Sequence, residues 1–228
     1  EKTVRKKYWT VIEVLNLAEI KIDKLNYSKK GKEIVSYQKY FGEMTLDKKE
    51  IEKRIKLAED LEEVFVYLFS VVENTETVDK ARLFATIYVM YTKLTDSFLN
   101  TKKTSEYIKK YATLVLQSII DVTYNKVDNG YFTSLRRAKE IASNEANVIA
   151  NYRLQTDYVK KGYKYKIWHT MKDYKVRETH KPLDETKISI FDAFEVGNSK
   201  MMFPKDYSLG ASADEVIGCR CTVEYVKE

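Results

Sequence analysis

The sequence predicts an α+β fold, with a long, mostly α-helical N-terminal region followed by a small, compact α+β C-terminal domain with short antiparallel strands. Three observations predict it. The first of the two prolines is Pro182, so no proline interrupts the chain before that residue. Apolar residues recur at helical spacing through the first two thirds of the chain. After Gly162 the spacing changes to the alternation that is typical of strands. We therefore expect a helical region over residues 1–130 and a second domain over 131–228, which begins with a long helix at 133–160.

Polar turns with helix-capping residues separate the helical stretches. A Ser, Thr or Asp side chain before an apolar-periodic run accepts a backbone N–H of the first helical turn. The candidate caps are, in chain order, Thr45 or Asp47, Thr75 or Thr77, and Thr104 or Ser105. We expect helices at 4–26, 34–41, 48–73, 78–99 and 106–127, ahead of the long helix at 133–160.

Short strands are expected after Gly162. Residues 163–170 alternate in character and predict a strand with Ile167 and Trp168 at its buried end. Two more strands are predicted at 201–204 and 221–226. Between them we expect one helical turn at 212–216, capped by Ser212. Strands this short, close together in sequence, favour a compact antiparallel domain.

The composition indicates a folded protein and excludes several classes. Hydrophobic residues make up 44% of the 228 residues, and charged residues of both signs 32%. There is no run of about 18 apolar residues, so we expect no membrane segment. Two cysteines are too few for a disulfide scaffold and fit a reducing compartment. The chain begins at Glu1 rather than at an initiator Met, so we expect a start that has been trimmed or processed.

The net charge is compatible with two kinds of surface. Forty Lys and Arg residues against 34 Asp and Glu residues give a net charge of +6. Such a surplus permits contact with nucleic acid or with an acidic protein partner. It is more often found on a helical surface with many ion pairs, and the sequence itself shows no nucleic-acid contact.

Residues with metal-ligand chemistry occur in the C-terminal region. Cys219 and Cys221 form a C-x-C pair, and alternation along a strand would place both on one face, with Arg220 on the other. Together with His180 they supply three of the four ligands of a zinc site. The candidates for the fourth ligand are His169, Asp173 and Asp184.

Two alternatives to a zinc site stay open. The two thiols can act as small buried apolar groups beside a locally hydrogen-bonded His180. They can also form a disulfide or take part in redox chemistry. The sequence suggests zinc as the one candidate cofactor.

A polar segment follows the strand that ends near Trp168. Asp173, Arg177 and His180 are spaced so that a helical turn would place them on one face, which a hydrolase could use. The alternative is a structural network in which Arg177 pairs with Asp173 or Asp184. The sequence contains no GxGxxG, GxxxxGK[ST], GxSxG or HExxH motif, which argues against a nucleotide-driven enzyme.

The C-terminal part of the chain combines several motifs in one order and spacing. They are a helical segment, a strand ending in Trp, a D-x-x-V-R-x-x-H-x-x-L-D segment, a Pro and a final C-R-C. The residues concerned are Arg137, Glu145, Trp168, Asp173, Arg177, His180, Asp184, Pro204, Cys219, Arg220 and Cys221. Together they resemble the phage head morphogenesis proteins of the Mu F type, also called phage minor head proteins. The resemblance covers about 135–226, and no single motif in it is specific.

The chain departs from the family pattern at three positions. Asn144 stands where a Thr is usual, and Glu185 stands where the family has a Gly after Leu-Asp. Gly218 replaces the common Asn before the C-R-C segment. None of these departures changes the expected fold.

The resemblance implies a minor structural protein of a tailed-phage head and no catalytic role. Its expected partners are the phage portal protein, other head proteins and double-stranded DNA, during assembly, packaging or ejection. Its expected location is the bacterial host cytoplasm during assembly and the virion head afterwards. Two alternatives remain: a carrier domain of a phage-derived polymorphic toxin, and a metal-dependent nuclease-like enzyme that uses His180, Arg177, Asp173 and the cysteine pair.

Overall fold

The computed structural model describes residues 36–75 and 77–228 of the chain. In chain order its elements are α1 (Tyr37–Gly42), α2 (Lys48–Asn74), α3 (Lys80–Leu99), α4 (Glu106–Asn125), α5 (Leu135–Lys160), β1 (Tyr165–His169), a 3₁₀ turn (Lys181–Leu183), β2 (Lys187–Ser189), β3 (Phe194–Val196), β4 (Ser199–Met201), α6 (Ala213–Val216) and β5 (Thr222–Val226). The predicted α+β class is confirmed. The predicted helix at 4–26 lies outside the described residues.

Polar side chains cap the long helices, among them α2, α3 and α4. Asp47 accepts a backbone N–H of the first turn of α2 at 2.9 Å, and Ser105 does the same for α4 at 3.3 Å, both as predicted. Helix α3 is capped by Asp79 at 3.0 Å, so the expectation of Thr75 or Thr77 was wrong. Asp79 directly precedes the first helical residue, where its carboxylate reaches the free N–H groups.

The described residues fall into two compact units. The first consists of Glu59–Lys139, and the second of residues 36–58 together with Glu140–Glu228. The predicted division into 1–130 and 131–228 concerns folding domains and stays a prediction. None of the helices described over 36–75 and 77–228 is both long and apolar enough to cross a membrane.

The first unit is helical, and its core follows from the spacing of its apolar residues. Helices α3 and α4 pack against each other. Buried side chains recur every three or four residues along both helices, which puts them on one face of each. They include Leu83, Ile87, Met90 and Leu94 on α3, and Ile108, Leu116, Ile119 and Ile120 on α4.

The second unit contains both sheets. Strand β1 is the centre of a three-stranded antiparallel sheet in the order β2-β1-β5, and β3 and β4 form a separate hairpin. Trp168 on β1 and Phe194 on β3 are buried in one apolar cluster with both cysteines. The hairpin turns at Gly197, with φ of +59°, and a Cβ there would lie 2.9 Å from Glu215 Oε1. Glycine therefore lets the hairpin approach α6 closely.

Two strand predictions need correction. Residues 201–204 are not a strand, because β4 ends at Met201 and the chain then turns. On β1 the buried residue that shares a face with Trp168 is Lys166, whereas the partly exposed Ile167 faces the other way. Burial of Lys166 is possible because its Nζ donates a hydrogen bond to the Met202 carbonyl at 2.6 Å.

Candidate functional site

The structure brings His180, Cys219 and Cys221 together in the second unit. His180 directly precedes the 3₁₀ turn, and the two cysteines lie between α6 and β5. Both cysteines precede β5, so their expected place within a strand was wrong. They are nevertheless both buried in the apolar cluster, while Arg220 between them turns away to Glu43 and Asp173.

The three side chains are close enough to share one ligand. His180 Nδ1 lies 3.5 Å from Cys221 Sγ and 3.6 Å from Cys219 Sγ. All three ligand atoms lie within 4.8 Å of one another, and all three residues are buried. The arrangement can hold a metal ion, or it can be a hydrogen-bonded pair of thiols beside an imidazole.

A carboxylate orients the imidazole from the opposite side. Glu215 on α6 places Oε2 2.9 Å from His180 Nε2, and the same oxygen accepts a hydrogen bond from Thr179 Oγ1 at 2.7 Å. In the tautomer that donates Nε2–H to Glu215, the lone pair of Nδ1 points to the sulfur atoms. Sequence reasoning did not select Glu215 as a site residue.

The two thiols influence each other strongly. The hydrogen bond from the Cys221 thiol lowers the pKa of Cys219, and His180 adds to this effect while burial opposes it. The pKa of Cys221 is raised because its proton is held by Cys219 and because burial disfavours a second thiolate. Losing the first proton is therefore easier for the pair than losing the second, because the remaining S–H stabilises the first thiolate.

Aromatic side chains enclose one side of the cluster. The Trp168 ring stands edge-on to His180, with the ring centroids 5.6 Å apart, and also contacts Phe194 at 5.0 Å. Trp168 Nε1 is buried and makes no regular hydrogen bond to any described residue. The other side opens into a small cleft of about 20 Å³, which Lys175, Arg177 and Arg220 line together with the three cluster residues.

None of the three candidates for a fourth metal ligand joins the cluster. Each forms a different pair within the described chain: His169 with Glu224 at 2.9 Å, Asp173 with Arg220 at 2.7 Å, and Asp184 with the backbone N–H of Thr170 at 2.8 Å. The prediction that one of these three residues supplies the fourth metal ligand was therefore wrong. Tertiary contacts with distant residues, which the sequence does not reveal, decide these partners.

The predicted helical face of Asp173, Arg177 and His180 is not formed. Residues 171–180 form turns rather than a helix. Arg177 donates a hydrogen bond to the Ile217 carbonyl, and Asp173 pairs with Arg220. The expected pairing of Arg177 with Asp173 or Asp184 was wrong, and Arg177 instead ties this segment to the chain just before Cys219.

Arg137 and Glu145 are buried in helix α5. Arg137 belongs to the first unit and donates to Thr123 Oγ1 at 2.7 Å and to the Phe132 carbonyl at 2.6 Å. Glu145 belongs to the second unit, where Asn144 Nδ2 donates to its Oε1 at 3.3 Å. The contacts of both residues stabilise buried polar groups inside the helical framework.

Pro204 contributes its backbone to a buried network. Its carbonyl accepts a hydrogen bond from Asn151 Nδ2 at 2.9 Å, and Asn151 Oδ1 accepts one from Arg54 Nη2 at 2.9 Å. Arg54 is buried and also donates to Glu50 at 3.0 Å and to Asn147. These residues connect α2, α5 and the segment after β4 within the second unit.

Two buried lysines were also missed by sequence reasoning. Burial lowers the pKa of Lys166 to about 8, with Asp206 and Asp192 opposing this effect. Lys205 is fully buried and donates to Asn144 Oδ1 at 2.5 Å. Lysine is rarely buried without a partner, so composition and spacing gave no signal for either residue.

The sequence profile of the family described as Phage Mu protein F like protein matches residues 89–224. The matched segment begins within α3, further upstream than the predicted start near 135, and includes every residue of the His180 cluster. No curated protein and no solved structure shows significant similarity to the chain. Because the match covers more than half of the 228 residues, the chain belongs to the phage Mu protein F like family, the phage head morphogenesis proteins.

Proposed function

We propose that this chain is a minor structural component of a tailed-phage head that associates with the portal protein and other head proteins. The observation that carries the proposal is the family match over residues 89–224. Its place of action is then the host cytoplasm during assembly and the virion head afterwards. Contact with double-stranded DNA during packaging or ejection is part of the same proposal.

The charge of the chain supports an electrostatic contribution to these contacts. The net charge is +6, which favours DNA phosphates or an acidic protein surface. Several exposed lysines already pair with neighbouring carboxylates, for example Lys109 with Glu106 at 2.6 Å and Lys181 with Glu178 at 2.5 Å. Only part of the positive charge is therefore available to a partner, and we expect the association to weaken in salt without being abolished.

Co-purification tests the association with the portal. The full chain is co-expressed with the portal protein encoded beside it and separated on a sizing column at low salt. We expect the chain to elute with the portal ring, ahead of its own position when it is run alone. Raising the salt concentration shortens the range of electrostatic attraction, so the bound fraction should fall.

Two results would count against the proposal. Clean separation of the chain from the portal at low salt would contradict association. Because a toxin carrier domain does not need the portal, the same result would favour that alternative. Retention of an unrelated basic helical protein by the same portal ring would show that the co-elution reflects charge alone.

A further inference from the structure

We infer that His180, Cys219 and Cys221 bind one Zn²⁺ ion through the imidazole Nδ1 and the two thiolate sulfurs, with a water-derived fourth ligand. Imidazole and thiolate are the groups that most often hold zinc in proteins. The three groups lie within 4.8 Å of one another and are buried. The inference concerns this cluster and does not depend on association with the portal.

The two nitrogen–sulfur distances within the cluster agree with a tetrahedral zinc site. Zn–S bonds of about 2.3 Å and Zn–N bonds of about 2.0–2.1 Å, meeting at a tetrahedral angle, place nitrogen and sulfur about 3.5 Å apart. His180 Nδ1 lies 3.5 Å from one sulfur and 3.6 Å from the other. A single Nδ1 lone pair accepts one S–H hydrogen bond, whereas one shared ion accounts for both distances.

Glu215 supplies the outer support that zinc-bound histidines usually have. A histidine ligand commonly donates its second ring N–H to a carboxylate, which fixes the ring and raises its basicity. Glu215 Oε2 lies 2.9 Å from His180 Nε2, and Thr179 holds the same oxygen. The absence of a side chain at Gly197 leaves room for this carboxylate. The second ring nitrogen is therefore held, and Nδ1 remains for the metal.

The fourth coordination position of the proposed Zn²⁺ ion would face the small cleft. Within the described chain, no other His, Cys, Asp or Glu joins the three cluster residues. The cleft has a volume of about 20 Å³, and a water needs about 10–15 Å³ by the same measure. Lys175, Arg177 and Arg220 also line the cleft, so the side of the cluster away from Trp168 is polar.

Metal content of the purified full-length chain tests the inference. We expect about one zinc ion per chain by elemental analysis. The His180→Gln variant should lose most of this zinc, while His169→Gln should keep it, because His169 pairs with Glu224 outside the cluster. Glu215→Gln should keep the ligands but bind zinc about 10–100-fold more weakly, as is typical for outer-shell partners.

A second measurement does not depend on whether the variants fold. The metal is removed from the unmodified chain with a chelator, and Co²⁺ is added in steps. We expect thiolate-to-cobalt absorption and the visible bands of tetrahedral Co²⁺, both saturating at one equivalent. Zinc-free protein that gives no thiolate–cobalt absorption would overturn the inference, and so would full zinc content in a folded His180→Gln variant.

Discussion

Glu185 adopts a backbone conformation that is unfavourable for residues with a side chain. Its φ is +64°, in the left-handed region. This region costs a residue with a Cβ about 1–2 kcal/mol, whereas glycine enters it freely. The related family pattern has glycine at this position. At Gly218, where that pattern has Asn, φ is +72°, and both Gly and Asn tolerate that value.

We expect Glu185→Gly to raise the free energy of unfolding by about 0.5–1 kcal/mol, because it removes strain that outweighs the extra freedom of glycine in the unfolded chain. The lost ion pair to Lys172 is exposed and contributes little. Denaturant unfolding followed by circular dichroism measures the change. Glu185→Ala is the matched control, since it loses the same ion pair and keeps the strain. Equal stabilisation by both variants would show that strain is not the cause.

The composition of the candidate site was predictable, but its surroundings were not. Only two cysteines and two histidines exist in the chain, so the clustering of His180 with Cys219 and Cys221 could be predicted from residue type. Glu215 is one of 34 acidic residues, and no local pattern marks it as the partner of His180. Long-range packing of α6 against the chain near Thr179 creates that contact, and local spacing does not encode it.

At the level of secondary structure, α2 and α5 are joined within the second unit by a buried ionic network. Arg54 on α2 bonds Glu50 on its own helix and both Asn147 and Asn151 on α5. Burial lowers the pKa of Arg54, while the charge of Glu50 and its hydrogen bond oppose this effect. Removing one member of such a network leaves the others buried without compensation.

We expect Arg54→Leu to destabilise the protein by about 3–5 kcal/mol, because Glu50 and two amides lose a buried donor. Thermal and denaturant unfolding of the full chain measure the loss. Lys48→Ala on the same helix is the control, since its pair with Glu52 is 4.0 Å long and exposed. We expect that change to stay within about 0.5 kcal/mol. A loss below about 1 kcal/mol for Arg54→Leu would contradict the stabilising role of the network.

Element length explains which elements could be predicted. Helices α2 to α5 repeat their apolar pattern over many turns, so periodicity and capping residues located them within a few residues. Strands β2, β3 and β4 have three residues each, too few for alternation to be recognised. On β1 the apolar face suggested by Ile167 was wrong, because a distant carbonyl satisfies the buried Lys166.

For the whole molecule, the family assignment rests on a match that extends from α3 into β5. The matched segment, residues 89–224, contains all of α4 and α5, both sheets except the last two residues of β5, and the His180 cluster. The order and spacing of motif residues predicted the family, although no one motif was specific. The boundaries of the two compact units were not predicted, because α2 and α5 each contribute to both units.

The most direct test of the central claim is the location of the chain in phage particles. Particles produced from the genome that encodes the chain are disrupted, heads and tails are separated, and each fraction is examined by mass spectrometry. We predict peptides of this chain in the head fraction, together with the portal protein, and none above background in the tail fraction. Peptides found in the producing cells but absent from purified heads would contradict the assignment as a head component.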